Sequence, residues 1–152
     1  MALIALITSC NKTTPSAFWT NFHRNLITAK ISDQGPRGGH REIHWKSEQG
    51  KPFTLKEVIE FASRNGWQLT DSLTYTKDSL VKLTNYSDKN YSFDILKENI
   101  IKRNHSVDNY ILIFKTGWIA VEPGNARETE KNGFVQINSN GTELMIYHLW
   151  GE

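Results

Sequence analysis

Hydrophobic and polar residues alternate along much of this chain, and the alternation predicts β-strands separated by turns. Residues 26–32 place their apolar side chains on one side of an extended strand. The segment 34–39 contains Gly and Pro and predicts a turn, and residues 41–46 predict the returning strand of a hairpin.

A helical pattern follows these strands. Thr54 and Glu57 have the spacing of a capping box, in which the Thr hydroxyl accepts from the backbone N–H of Glu57. Apolar residues then recur at helical spacing, at Leu55, Val58, Ile59 and Ala62. Gly66 is placed to take the left-handed conformation that ends a helix, so the sequence predicts a helix that begins at Thr54 and stops before Gly66.

The second half of the chain predicts more strand than helix. Residues 67–76 read as a strand, and residues 92–103 as a second helix whose imperfect period leaves a strand as the alternative. Two further hairpins are predicted from runs of apolar residues around turn residues. One joins 110–114 to 118–121, and the other joins 134–137 to 143–149. The polar segment 122–132 between them predicts a charged loop.

These elements predict an α+β fold. The strands are not separated regularly by helices, which favours a mainly antiparallel sheet built from hairpins, with one or two helices packed on one face. A chain of 152 residues fits a single domain, which we place at 17–152, with 1–16 as a leader remnant and tether.

Composition supports a packed interior and argues against nucleic acid as a partner. Hydrophobic residues make up 38% of the chain and aromatic residues 11%, including five Trp, of which three or four should be core residues. Trp19 and Trp150, close to the two ends of the domain, are the ones expected to be partly exposed. The 18 Lys and Arg residues nearly balance the 16 Asp and Glu residues, without the basic stripe of a nucleic-acid-binding domain.

The amino terminus carries the most distinctive motif. It reads MALIALITSC, is uncharged, and is too short to cross a bilayer, which takes about 20 residues. The step from Ile7 to Cys10 resembles the lipobox of bacterial lipoproteins. That resemblance implies a lipid on Cys10, an anchor in the cell envelope and, with Asn11 next, an outer-membrane location facing the periplasm. Alternatively, residues 3–7 are a buried first strand and Cys10, the single cysteine, is a structural thiol.

One group of residues could carry metal chemistry. His40, Glu42 and His44 alternate along a predicted strand and therefore share one face, while Ile43 and Trp45 take the other. We expect the apolar pair to point to the core and the three polar side chains to face water. A metal site would need further ligands from elsewhere in the chain, so a small metal-assisted hydrolase is the alternative function. No nucleophile elbow, P-loop or dinucleotide fingerprint occurs, and no cofactor is expected.

These observations favour a non-enzymatic, protein-binding module of the bacterial envelope. By analogy of size and organisation, it could be an immunity or exclusion protein that neutralises a toxin or secreted effector, attached to the membrane by its lipid. Loops held by a sheet commonly carry binding residues, and Arg offers a planar fork of donors to acidic groups. The candidate binding residues are Arg37, His40, Arg41, Arg127 and Glu128.

Overall fold

A computed structural model of the chain describes residues 15–24, 26–33, 38–76, 92–93, 108–124 and 128–151. These residues form a mostly antiparallel sheet and an α-helix, so the predicted α+β class is confirmed. In chain order, the elements are the 3-10 helix η1 (Ala17–Asn21), β1 (Leu26–Asp33), β2 (Gly38–Lys46), α1 (Leu55–Arg64), β3 (Gln68–Tyr75), β4 (Asn109–Val121), β5 (Glu128–Asn138) and β6 (Glu143–Gly151).

The six strands lie in the order β1-β2-β6-β5-β4-β3. Neighbouring strands in this order are antiparallel, and one parallel bridge joins Ala120 of β4 to Gly151 at the end of β6. The last of these strands in sequence, β6, therefore lies in the middle of the sheet, between β2 and β5.

Local sequence determines both ends of α1, as predicted. Thr54 is extended, and its hydroxyl accepts from the backbone N–H of Glu57 at 3.2 Å. Gly66 has φ +87°, a left-handed conformation that residues with a side chain rarely adopt. Val58 and Ala62, four residues apart, are buried and pack the helix against the sheet.

The sheet has an apolar core on each face. The core on the α1 side contains aromatic residues from η1 and β2 and Trp67, which directly precedes β3, together with Leu144 and Ile146 of β6. The opposite core consists of Phe93, Ile111, Ile113, Phe134, Met145 and Tyr147. Successive residues of a strand point to opposite faces, which explains why 144 and 146 belong to one core and 145 and 147 to the other.

Two predictions about the second half of the chain are wrong. The expected hairpin over 110–121 is a single strand, β4, because Gly117 (φ +81°) forms part of an outward bulge instead of reversing the chain. The expected charged loop over 122–132 ends early, because β5 begins at Glu128 and pairs with β4. The rest of the predicted helix 92–103 lies outside the described residues, which include only Ser92 and Phe93 of it.

Four of the five Trp are buried, within the predicted number, but the two that were expected to be partly exposed are among them. Trp19 and Trp150 are 0% and 1% exposed, whereas Trp118 is 44% exposed. Trp150 is buried because it alternates with His148 and Ile146 on the α1 side of β6, and Trp19 packs against the ring of Trp67 at 5.4 Å between centroids.

Candidate functional site

The most unusual backbone feature in the described residues is a bulge in β4. Lys115 pairs with Lys131 of β5, and Ala120 pairs with Thr129. Four residues of β4, 116–119, therefore lie opposite the single residue Glu130. A bulge of this kind bends its strand and redirects side chains, and bulges are frequent beside functional sites.

Buried polar groups hold this bulge in place. The side chain of Asn132 is fully buried, and its Nδ2 donates to the carbonyl oxygens of Trp118, at 3.0 Å, and Leu149, at 2.8 Å. Its Oδ1 accepts from the hydroxyl of Thr116 at 2.8 Å, and that hydroxyl oxygen accepts from the backbone N–H of Trp118 at 3.2 Å. Both the backbone N–H and the carbonyl oxygen of Trp118 are thus hydrogen-bonded by buried side chains, which fixes the conformation of the bulge. We call the side chains of Asn132 and Thr116 the clamp.

The same network determines which nitrogen of His148 carries a proton. The single proton of Thr116 goes to Asn132, so the Thr116 oxygen, 3.1 Å from Nε2 of His148, accepts from Nε2–H. In a neutral ring Nδ1 is then unprotonated. Nδ1 lies 3.0 Å from the hydroxyl oxygen of Ser16, and that hydroxyl also donates to the carbonyl oxygen of Pro15 at 2.6 Å. The contact between Ser16 and His148 connects the described start of the chain to β6.

The Ser16–His148 pair resembles a nucleophile and its base in distance, but its electrostatics are wrong for that chemistry. His148 is fully buried, and burial lowers its pKa to about 3, with a further contribution from the positive charge of Arg41. A general base works best with a pKa near the working pH, and this ring resists taking a proton. The pair is therefore a structural hydrogen bond.

The clamped bulge displays two large apolar side chains. Trp118 and Ile119 are each 44% exposed. They line a cleft of about 490 Å³ together with Gln68 and with Lys115 and Glu130, which form an ion pair. We refer to Trp118, Ile119, Gln68, Lys115 and Glu130 as the bulge surface.

The three metal-ligand candidates share a face, as predicted, but it is only partly solvated: His40 and His44 are half-buried and Glu42 is buried. His40, Glu42 and His44 lie on the side of β2 away from α1, where Glu42 pairs across the sheet with Tyr147 of the opposite core. Glu42 is only 9% exposed, because the opposite core covers this face. His44 Nε2 and Glu42 Oε1 are 2.7 Å apart. Within the described ranges, no group of three or more His, Cys, Asp and Glu could hold a metal ion.

The structure does not bring the candidate binding residues together. Arg41 is buried on the α1 side of β2, opposite His148 on β6, so it is not available to a partner of the folded domain. His40 is half-buried with its ring 6.3 Å from that of Tyr147, and Glu128 is exposed at the start of β5, on the other side of β6. Arg37, Arg127 and the lipidation candidate Cys10 lie outside the described residues.

Sequence reasoning missed Trp118, and no local pattern marks it. Trp118 and Ile119 are consecutive apolar residues, but so are residues 111–114 of the same strand, and those are buried because the sheet has a core on each face. The clamp could not be found from a local pattern either, because Thr116 and Asn132 come from different strands.

Comparisons with known proteins supply no relative. The chain matches no protein-family model, no curated protein and no solved structure. In the part of the chain that the structure describes, no helix has the length and apolar character needed to cross a membrane.

Proposed function

We propose that this chain is a non-enzymatic lipoprotein of the bacterial envelope that acts as a protein-binding module. The lipid on Cys10 attaches it to the membrane, on the outer membrane facing the periplasm, and a protein partner binds the folded domain. An immunity or exclusion protein that neutralises a toxin or secreted effector is the subclass that fits its size and organisation.

The observation that supports binding is the bulge surface. An exposed Trp beside an exposed Ile leaves apolar area in contact with water, and such side chains are common at interaction sites. Trp is also the residue type most enriched among those that dominate the free energy of protein association.

The clamp beneath the bulge strengthens this interpretation. A surface that is already rigid loses less conformational entropy when a partner binds. Asn132 and Thr116 fix the backbone of the bulge, so the backbone of Trp118 already has a defined position in the unbound protein. Around it, Gln68 and the pair Lys115–Glu130 provide the polar rim that surrounds apolar centres in many interfaces.

A photo-crosslinking amino acid tests the surface in the producing bacterium. Placed at Ile119, it should give a discrete cross-linked product with a second protein. The matched control is Tyr110, which lies at the other end of the same strand and is 36% exposed. Equal products from both positions, or none from Ile119, would contradict binding at the bulge surface.

The anchor has a separate test. The chain expressed with its full leader should fractionate with membranes and resist washing with salt, and Cys10→Ser should be released, because stable attachment requires more than one acyl chain. Wild-type protein that washes off with salt and carries an unmodified Cys10 would remove the lipoprotein part of the proposal and leave the binding surface to be judged by cross-linking.

A further inference from the structure

Trp118 also lines a second cleft, of about 550 Å³, which falls within the roughly 300–1,000 Å³ typical of small-molecule sites. Its walls come from η1, from Asn65 at the end of α1, and from the bulge of β4. None of the described side chains that line it carries a charge. Ser16 and Thr116, which belong to the buried network, form part of its wall. We call it the amide cleft, after Asn21 and Asn65.

Several polar side chains at this cleft have donors or acceptors that no described residue uses. The side-chain amide of Asn21 makes no hydrogen bond to any described residue. Asn65 uses its Nδ2 to cap α1, donating to the carbonyl oxygen of Phe61 at 2.8 Å, and its Oδ1 has no partner among the described residues. Thr20 donates to the carbonyl oxygen of Ala17 at 2.8 Å and keeps its oxygen as an acceptor. The cleft therefore presents neutral donors and acceptors together.

Apolar surface accompanies these amides. The exposed indole of Trp118 and the half-buried ring of Phe18 both line the cleft. A ligand for this site must combine groups that both donate and accept hydrogen bonds with an apolar face that packs on an aromatic ring. Sugars have both properties: hydroxyl groups around the ring and C–H groups on its faces. An anionic or cationic ligand would find no opposite charge among the described residues that line the cleft.

We infer that the amide cleft is a binding site for a neutral saccharide. This function goes beyond the proposed protein binding and depends neither on the protein partner nor on the lipid at Cys10. Trp118 stacks on the sugar ring, and Asn21 and Asn65 bond its hydroxyl groups. Trp118 belongs to both the amide cleft and the bulge surface, whereas Ile119 lines only the bulge surface.

The arrangement of the five Trp makes the test direct. Trp19, Trp45, Trp67 and Trp150 are at most 2% exposed. Trp67 also lines the cleft, but iodide reaches only an exposed ring, so the part of the emission that iodide quenches reports on Trp118. The purified full chain is titrated with maltotriose and with chitotriose, two uncharged trisaccharides, while emission and iodide quenching are recorded. At least one of them should give a saturable blue shift and protect Trp118 from iodide.

Matched variants identify the site. Asn21→Ala should weaken binding about tenfold, the effect of losing one hydrogen bond. Gln49→Ala removes an exposed amide outside the cleft and should bind like the wild type. Circular dichroism confirms that each variant folds. Asn21 is substituted instead of Asn65 because the side chain of Asn65 caps α1, and its loss would also destabilise the helix.

Three results would overturn the inference. These are no saturable change with either trisaccharide, unchanged affinity in Asn21→Ala, and equally tight binding of trigalacturonate, which carries the charge that the cleft should reject. None of these results affects cross-linking at Ile119, so the saccharide site and the protein-binding surface can fail separately.

Discussion

Mild acid should destabilise this protein through one buried side chain, His148. Burial, with a contribution from the charge of Arg41, lowers the pKa of the folded ring to about 3, against an ordinary value of 6.5. As the pH falls through 6.5, the unfolded chain takes up a proton that the folded chain refuses. The unfolded state then binds more protons, so the free energy of unfolding falls as the pH falls from about 7 towards 3.

The size of the effect follows from the two pKa values. Each pKa unit corresponds to about 1.4 kcal/mol, so the full difference is roughly 5 kcal/mol once the pH is below both values. Between pH 7.5 and pH 5.0, only part of this change occurs, and His148 alone should remove about 2 kcal/mol from the free energy of unfolding. That is a large share of the stability of a typical domain.

Urea unfolding at pH 7.5 and pH 5.0 measures the loss, in the wild type and in His148→Gln. Glutamine can bond Thr116 without titrating, so the wild type should lose about 2 kcal/mol more than the variant between the two pH values. An equal loss in both proteins would refute the reasoning. If the variant does not fold, NMR of the wild-type ring decides: a His148 signal that titrates above pH 5 contradicts the buried neutral ring.

Three further substitutions test the fold beneath the site, each by urea unfolding. Gly133→Ala should lower the free energy of unfolding by about 1–3 kcal/mol, because its new Cβ would lie 2.5 Å from Thr116 Cγ2 and 2.7 Å from the ring of Trp67. Wild-type stability of this variant would mean that the Trp67 ring is not packed against Gly133. Asn132→Leu should cost about 3 kcal/mol and increase iodide quenching of Trp118, since it leaves buried carbonyl groups without a donor; unchanged quenching would argue against the clamp. Thr54→Ala should cost about 1 kcal/mol by removing the cap of α1, and no change would mean that the bond to Glu57 contributes nothing.

Local signals in the sequence were sufficient for α1 and for the fold class. The cap at Thr54 and the left-handed Gly66 act within a few residues of themselves, so the sequence specifies them directly. The alternation of β2 likewise predicted that Ile43 and Trp45 face one core while His40, Glu42 and His44 face away from it.

The errors arose where distant strands decide the outcome. Gly117 has the positive φ of a turn, but Asn132 of β5 bonds the backbone beside it and turns a predicted hairpin into a bulge. Glu128 begins a polar segment that looks like a loop, yet pairing with Val121 makes it strand. The solvated face expected for Glu42 is covered by a core that no pattern within β2 reveals. Non-local pairing overrides local preference in each case.

The central position of β6 has a consequence for how the protein is made. This strand, Glu143–Gly151, is the last of the described strands to leave the ribosome, yet it joins β2 to β5 and supplies residues to both cores. Before it is synthesised, β1 and β2 have no sheet contact with β3, β4 and β5, and Ser16 has no imidazole to bond. Contacts this distant in sequence form slowly. The nascent chain should therefore stay unfolded until β6 emerges, and truncation between β5 and β6 should abolish the fold instead of shortening it.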